Sequence, residues 1–245
     1  MSLPRFLVSP EALDGATTEL SGAELRHLRV RRLRAGSGLI LTDGTGRERH
    51  GVVVDVDHRH AVIRLTAAAV RPDASGSRLI LAQALLKGGK LDFVIEKATE
   101  LGVADVRLFT CERSVHRVPP ERLARWERVA LSAAKQCQRS SVPSITGPTE
   151  YAVALQVPAL LRLMFWEGAR TNPLPSLRER QPTASSVLAI VGPEGGFTAA
   201  EAHQAADAGV HLVGLGGRIL RAETAALVAV TLCQYLWGDL AAASA

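Results

Sequence analysis

The rhythm of apolar and polar positions changes once along the chain, near residue 78. Before it, short alternating runs predict strands at Arg5–Val8, Leu39–Thr42, Gly51–Val56 and Ala61–Leu65, with Asp43-Gly44-Thr45-Gly46 as a hairpin turn. Ser21-Gly22-Ala23-Glu24 has the capping-box pattern and predicts a helix running through a cluster of arginines. Arg71-Pro72-Asp73-Ala74-Ser75-Gly76-Ser77 has the composition of a linker. Beyond it, strands alternate with helices, as in a mostly parallel α/β sheet. Strands are predicted at Leu79–Ala84, Val106–Phe109, Leu160–Trp166, Val187–Val191 and Val210–Leu215. Helices are predicted at Lys90–Leu101 (stopped by Gly102), from about Pro120 to Cys137, from a second capping box at Thr198–Glu201 to Gly209, and from Glu223 to Trp237. The stretch 170–183 reads as a proline-rich loop. The division expected is 1–72 for the β-rich unit and 78–245 for the α/β unit.

Two glycine-rich segments end the last two predicted strands: Gly192-Pro193-Glu194-Gly195-Gly196-Phe197 and Gly214-Leu215-Gly216-Gly217-Arg218-Ile219-Leu220-Arg221. Loops at the carboxyl ends of strands in an open α/β sheet form the ligand crevice. Glycine there lets main chain approach a ligand and present its amides. The phosphate-binding G-x-x-x-x-G-K-[ST] pattern is missing, and so is G-x-G-x-x-G after the first strand of a βαβ unit. The pair instead suits an uncharged heterocycle carrying a polar, cationic tail.

Composition adds location and partner. No apolar run reaches the roughly 18–20 residues of a membrane span, and the first residues do not read as a signal peptide. Cys111, Cys137 and Cys233 are far apart and lack C-x-x-C spacing, which fits reduced thiols and a cytoplasmic protein. His27, His116, His203 and His211 have no ligand spacing, so no metal is expected. The net charge is +5, yet residues 151–245 hold six basic groups against seven acidic ones. The excess lies in Arg26–Arg34, with five arginines and no acid, and in residues 113–139, with seven basic groups against two acidic. Such patches are the electrostatic footprint of phosphodiester binding, with Arg29, Arg31 and Arg32 at the centre of the first.

With these motifs in place, the chain resembles the RsmE family of SPOUT methyltransferases. The resemblance rests on Pro4-Arg5-Phe6, on Glu24 to Arg34, on Lys87, Lys90 and Glu96-Lys97-Ala98-Thr99-Glu100-Leu101-Gly102, on Glu112-Arg113-Ser114, on Ala134-Lys135-Gln136 with Arg139, and above all on the paired glycine motifs. Arg26 and Ala222 depart from the family pattern, which favours His and Thr there, and Arg26 leaves the role of His27 open. The resemblance implies a PUA-like β-barrel for RNA at the N-terminus. It implies a C-terminal α/β domain tied in a trefoil knot, a homodimer, and S-adenosylmethionine as cofactor. The implied reaction is methylation of uridine N3 in small-subunit ribosomal RNA. A SPOUT enzyme with another RNA target and a non-catalytic RNA-binding module remain alternatives.

Under that resemblance Gly192, Pro193, Glu194, Gly195, Gly196, Leu215, Gly216, Arg218, Ile219 and Leu220 hold the cofactor. Arg5, Lys87, Lys90, Arg113, Lys135 and Arg139 join Arg29, Arg31 and Arg32 as RNA contacts. Methyl transfer needs alignment and a stabilised base anion, so Arg221 and Arg218 are the catalytic candidates. The alternative for both is an ion pair with Glu194 or Glu223 that braces the loops. Glu194 is itself a catalytic candidate, facing a sulfonium, or else caps a neighbouring amide. Glu223-Thr224 is expected to cap the last helix. Phe165-Trp166 reads as core. Leu227, Val230, Leu232 and Leu236 read as core or dimer seam, and Lys97 with Glu100 as an exposed helix pair.

Overall fold

The structure, a computed structural model, describes residues 3–70, 76–115, 118–119 and 121–240; most of the expected linker, His116 and the expected helix start at Pro120 lie outside them. The chain divides into two compact units, Met1–Ala74 with Ala134–Val142, and Ser75–Ala133 with Pro143–Ala245.

The first unit is a five-stranded sheet. Strands β1 (Arg5–Leu7), β2 (Thr17–Ser21), β3 (Gly38–Thr42), β4 (Arg47–Val56) and β5 (His60–Val70) run in the order β1-β3-β4-β5-β2. Only β1–β3 is parallel. Phe6, Leu20, Leu28, Leu39, Leu41 and Ile63 fill its core. Strand β2 was not expected, because only Leu20 among its five residues is buried and the polar positions mask the alternation. Helix α1 (Gly22–Val30) follows as expected, but the capping box does not form: Ser21 makes no side-chain cap bond. Glu24 instead accepts the Leu7 amide at 3.3 Å and pairs with Lys135.

The second unit carries six parallel strands: β6 (Arg78–Ala84), β7 (Asp105–Thr110), β8 (Ser144–Glu150), β9 (Leu161–Phe165), β10 (Ser186–Val191) and β11 (His211–Val213). Their order is β11-β9-β10-β6-β7-β8. Strands β6 and β10 are buried almost throughout, as central strands of a sheet covered on both faces must be. The helices are α2 (Lys90–Glu100), α3 (Glu121–Cys137), α4 (Tyr151–Leu155), α5 (Leu174–Arg180), α6 (Ala199–Asp207) and α7 (Ala222–Trp237). The capping box of α6 forms in both directions, Thr198 accepting from the Glu201 amide and Glu201 from the Thr198 amide.

Two local readings need correction. Edge strand β8 buries only Ile145, so its pattern is too weak to see. The supposed loop 170–183 contains α5, because Pro173 and Pro175 stand at its first turn, where proline costs no hydrogen bond. On α7 the buried residues are Ala222, Ala226, Ala229, Val230, Cys233, Gln234 and Trp237, so of the four positions expected in the core or a dimer seam Val230 is core, while Leu227, Leu232 and Leu236 are half-buried. Small residues let this helix pack closely on α2, β6 and β10. All three cysteines are free, and burial pushes the thiols of Cys111 and Cys233 up to about 11 and about 12.

Candidate functional site

Sheet order makes β11, β9 and β10 neighbours, so their carboxyl ends bring three loops together, one more than the glycine motifs announced. The additional loop is Trp166–Asn172, after β9. Hydrogen bonds pin it to both partners. The Trp166 amide donates to Val213 at 3.1 Å, the Gly214 amide donates to Thr171 at 2.8 Å, and Trp166 Nε1 donates to Phe197 at 3.3 Å. A Cβ on Gly214 would strike the Ala169 carbonyl, so glycine is what permits this approach. Phe165 is buried and Trp166 half-buried, in agreement with a core role for the aromatic pair.

Between the loops after β9 and β11 lies a cavity of about 420 Å³, within the range of small-molecule sites. Glu167, Ala169, Arg170, Thr171 and Asn172 line one side; Gly214, Gly216, Gly217, Arg218 and Ile219 line the other. Of the expected cofactor residues, Gly216, Arg218 and Ile219 reach this cavity. Gly192, Pro193, Glu194, Gly195, Gly196, Leu215 and Leu220 are not among its walls. Gly216 has φ +88, and a Cβ there or on Gly217 would meet nothing within 4 Å. The loop thus turns bare main chain toward open space.

The β10 loop is held from several sides. Gln83, fully buried at the end of β6, donates to the Gly192 carbonyl at 3.2 Å. Arg113 donates to the Gly195 carbonyl at 3.0 Å, and a Cβ on Gly195 would crowd the Arg113 side chain. Glu194 accepts the Lys87 amide at 3.1 Å and pairs with Lys90 at 3.2 Å. Burial alone would raise the Glu194 carboxyl, but the amides of Glu194 and Lys87 and the Lys90 ammonium bring it below its ordinary value. Lys90 also reaches Glu223 at 3.6 Å, so one ammonium joins the β10 loop to the first turn of α7. Bracing is therefore done by Lys90, not by the expected pairing of Glu194 or Glu223 with arginine. Nor do Glu223 and Thr224 cap α7: Arg221 is its N-cap residue and forms no side-chain cap bond.

Arg218 and Arg221 are exposed, and neither guanidinium has a hydrogen bond or ion pair among the described residues. Both are free to meet a ligand. Arg221 is the N-cap residue of α7, and Arg218 lines the cavity beside Gly216 and Gly217. The chemistry available is cation-assisted stabilisation of an anion next to a main-chain cradle.

The basic residues fare unevenly. Arg5 is buried and pairs with Glu48 at 2.8 Å, so its guanidinium is committed inside the first unit and is not offered to phosphate. Lys135 is tied to Glu24, Lys90 to two carboxylates and Arg113 to the Gly195 carbonyl. Arg29, Arg31 and Arg32 are exposed at the end of α1 and just beyond it, with Arg29 donating to the Asp57 carbonyl at 2.6 Å. His27 packs against Phe6 with ring centroids 4.9 Å apart and the rings tilted by 41°; burial first, then Lys135 and Arg31, hold its pKa below the ordinary value against the pull of Glu24. Lys97 and Glu100 form the exposed helix pair at 2.8 Å. Among the described residues no cluster of three or more His, Cys, Asp or Glu could hold a metal, and no helix is long and apolar enough to cross a membrane.

Comparison with known proteins agrees with this layout. Residues 74–234 match the model of an RNA methyltransferase domain, and residues 20–66 that of an RNA methyltransferase PUA domain. The crystal structure of ribosomal RNA small subunit methyltransferase E from Neisseria gonorrhoeae, bound to S-adenosyl methionine, is similar with a TM-score of 0.88. It is 32% identical, with 98% of this chain and 100% of that one covered. Enzymes of the same name from Mycobacterium bovis and Synechocystis are 33% identical over 239 residues and 31% over 230. The matches cover 92% of this chain in both cases, and 88% and 75% of the relatives. The fold is the SPOUT type with a PUA-like first unit, and the chain belongs to the RNA methyltransferase family named ribosomal RNA small subunit methyltransferase E.

Proposed function

We propose that the protein uses S-adenosylmethionine to methylate N3 of a uridine in small-subunit ribosomal RNA. One observation carries this reading. The cavity at the ends of β9 and β11 combines bare glycine main chain with a carboxylate and guanidiniums that have no ion-pair partner among the described residues. Such a set fits a ligand that is part heterocycle, part zwitterion. The cofactor supplies an electrophilic methyl group on a sulfonium. Gly216 and Gly217 admit it to the main chain, while Gly192 to Gly196 hold the neighbouring wall in place behind Glu167. Ile219 provides apolar surface. Arg221 and Arg218 face the uridine and stabilise negative charge on its oxygens as N3 loses its proton, which orients and activates the nucleophile. Glu194 is held by Lys90 and keeps the loop in register, which favours the bracing role over the catalytic one.

RNA is met by Arg29 on α1, by Arg31 and Arg32 just beyond it, and by Lys87 and Arg139, with a homodimer in the cytoplasm as the working form. Replacing Arg29, Arg31 and Arg32 together with Ala lowers the slope of log affinity against log salt by about one per lost phosphate contact. Cofactor affinity stays unchanged. The test of the whole reading is calorimetry with S-adenosylmethionine, followed by incubation with unmethylated small subunits and mass mapping of the nucleosides. Binding together with N3-methyluridine supports it; absence of binding, or a methyl group on another atom, overturns it.

A further inference from the structure

Glu167 follows β9 at the wall of the cavity, and nothing in the two glycine motifs points to it. Its carboxylate has no hydrogen bond or ion pair among the described residues, although Arg170 and Arg218 line the same cavity and lack acidic partners too. It lies directly against the β10 loop. A Cβ built on Gly196 would meet the Glu167 carboxylate, which marks how near the two lie, and the φ of +67 at Gly196 favours glycine there. The loop behind Glu167 is fixed by the Trp166 and Gly214 bonds, which leaves the carboxylate presented on a rigid support. A carboxylate so placed can accept two hydrogen bonds at once from a ligand.

Resting on the cofactor reading above, we propose that Glu167 is a cofactor-binding residue that accepts hydrogen bonds from a paired donor group of S-adenosylmethionine. Two parts of that molecule offer such a group, the vicinal ribose hydroxyls and the α-ammonium of the amino-acid tail. The carboxylate also balances Arg170 and Arg218, so the cavity as a whole recognises a zwitterion.

The experiment is calorimetry of the full-length protein and its Glu167→Ala and Glu167→Gln variants. The probes are S-adenosylhomocysteine and 5′-methylthioadenosine, which keeps the ribose but lacks the amino-acid tail. Since Glu167 is exposed, both variants stay folded, and their unfolding midpoints check this. Loss of a hydrogen-bonded charge corresponds to about a ten- to hundredfold weaker affinity for S-adenosylhomocysteine in Glu167→Ala. Glu167→Gln falls in between. An equal loss for both probes assigns the ribose; a loss for S-adenosylhomocysteine alone assigns the ammonium, and either supports the proposal. Unchanged affinity for both probes overturns it. If the wild-type protein binds neither probe, the cofactor reading itself fails and this proposal falls with it.

Discussion

The two glycine loops have similar sequences and opposite mechanical characters. The β10 loop is tied at several residues: Gly192 by Gln83, Glu194 by Lys87 and Lys90, and Gly195 by Arg113. The β11 loop is bare. A Cβ on Gly216 or Gly217 would meet nothing within 4 Å, Ile219 is 87% exposed, and Arg218 and Arg221 have no hydrogen-bond or ion-pair partner among the described residues. Glycine serves close packing in the first loop and access in the second. A fixed wall beside a free, cationic edge is what orientation catalysis needs: one side sets position, and the other keeps its charges for the transition state.

The sharpest way to break the contrast is to put a side chain on the bare loop. Gly216→Val forces a branched residue to φ +88 and fills open cavity. Backbone strain of about 1–3 kcal/mol costs roughly 2–4 °C in midpoint per kcal/mol. Binding of S-adenosylmethionine is expected to disappear from calorimetry while the fold persists. Retained affinity would detach this loop from the cofactor.

Next in size is the removal of the brace. Lys90→Met keeps the aliphatic stem but leaves Glu194 and Glu223 without their shared cation. The groups are partly exposed, so the expected loss lies between surface and buried pairs, about 1–2 kcal/mol. Thermal unfolding checks it. A variant as stable as wild type would show that the β10 loop owes nothing to this ammonium.

The smallest effect is a pH effect. The folded Glu194 carboxyl lies below its ordinary value, so its contribution is fully present above the unfolded pKa. It is lost as pH falls from the ordinary carboxylate range through the lower folded value. Glu194→Gln should therefore flatten the acid side of the stability profile and leave the alkaline side alone. An identical acid slope in the two proteins would remove Glu194 from the brace.

Much of this was legible in advance, for reasons that differ by residue. The central strands β6 and β10 are buried on both faces and announce themselves as apolar runs. The α6 capping box is a local signal and forms as written. The same pattern at Ser21 fails because Glu24 has a stronger tertiary partner in Lys135. Strands β2 and β8 bury one residue each, too few to set a period. The β9 loop, with Glu167 and Arg170, was missed because it has only one glycine, Gly168, and depends on sheet order to reach the cavity. Its signal was present in Trp166-Glu167-Gly168, a polar break directly after a buried strand. For Lys90 the sequence shows the charge but not its partners Glu194 and Glu223, which the fold brings to it.

The central claim is that the bare loop carries the chemistry, and Arg221→Ala tests it most directly. The measurement is the single-turnover rate of methyl transfer to the small subunit, alongside S-adenosylmethionine affinity and the unfolding midpoint. The account predicts a fall in rate of about a hundredfold or more, the scale for losing one preorganised donor, with affinity and stability nearly unchanged. Arg221→Lys would recover part of the rate if charge matters more than the planar fork. A wild-type rate, or a joint fall in rate, affinity and stability, would contradict the division between a fixed wall and a reactive edge.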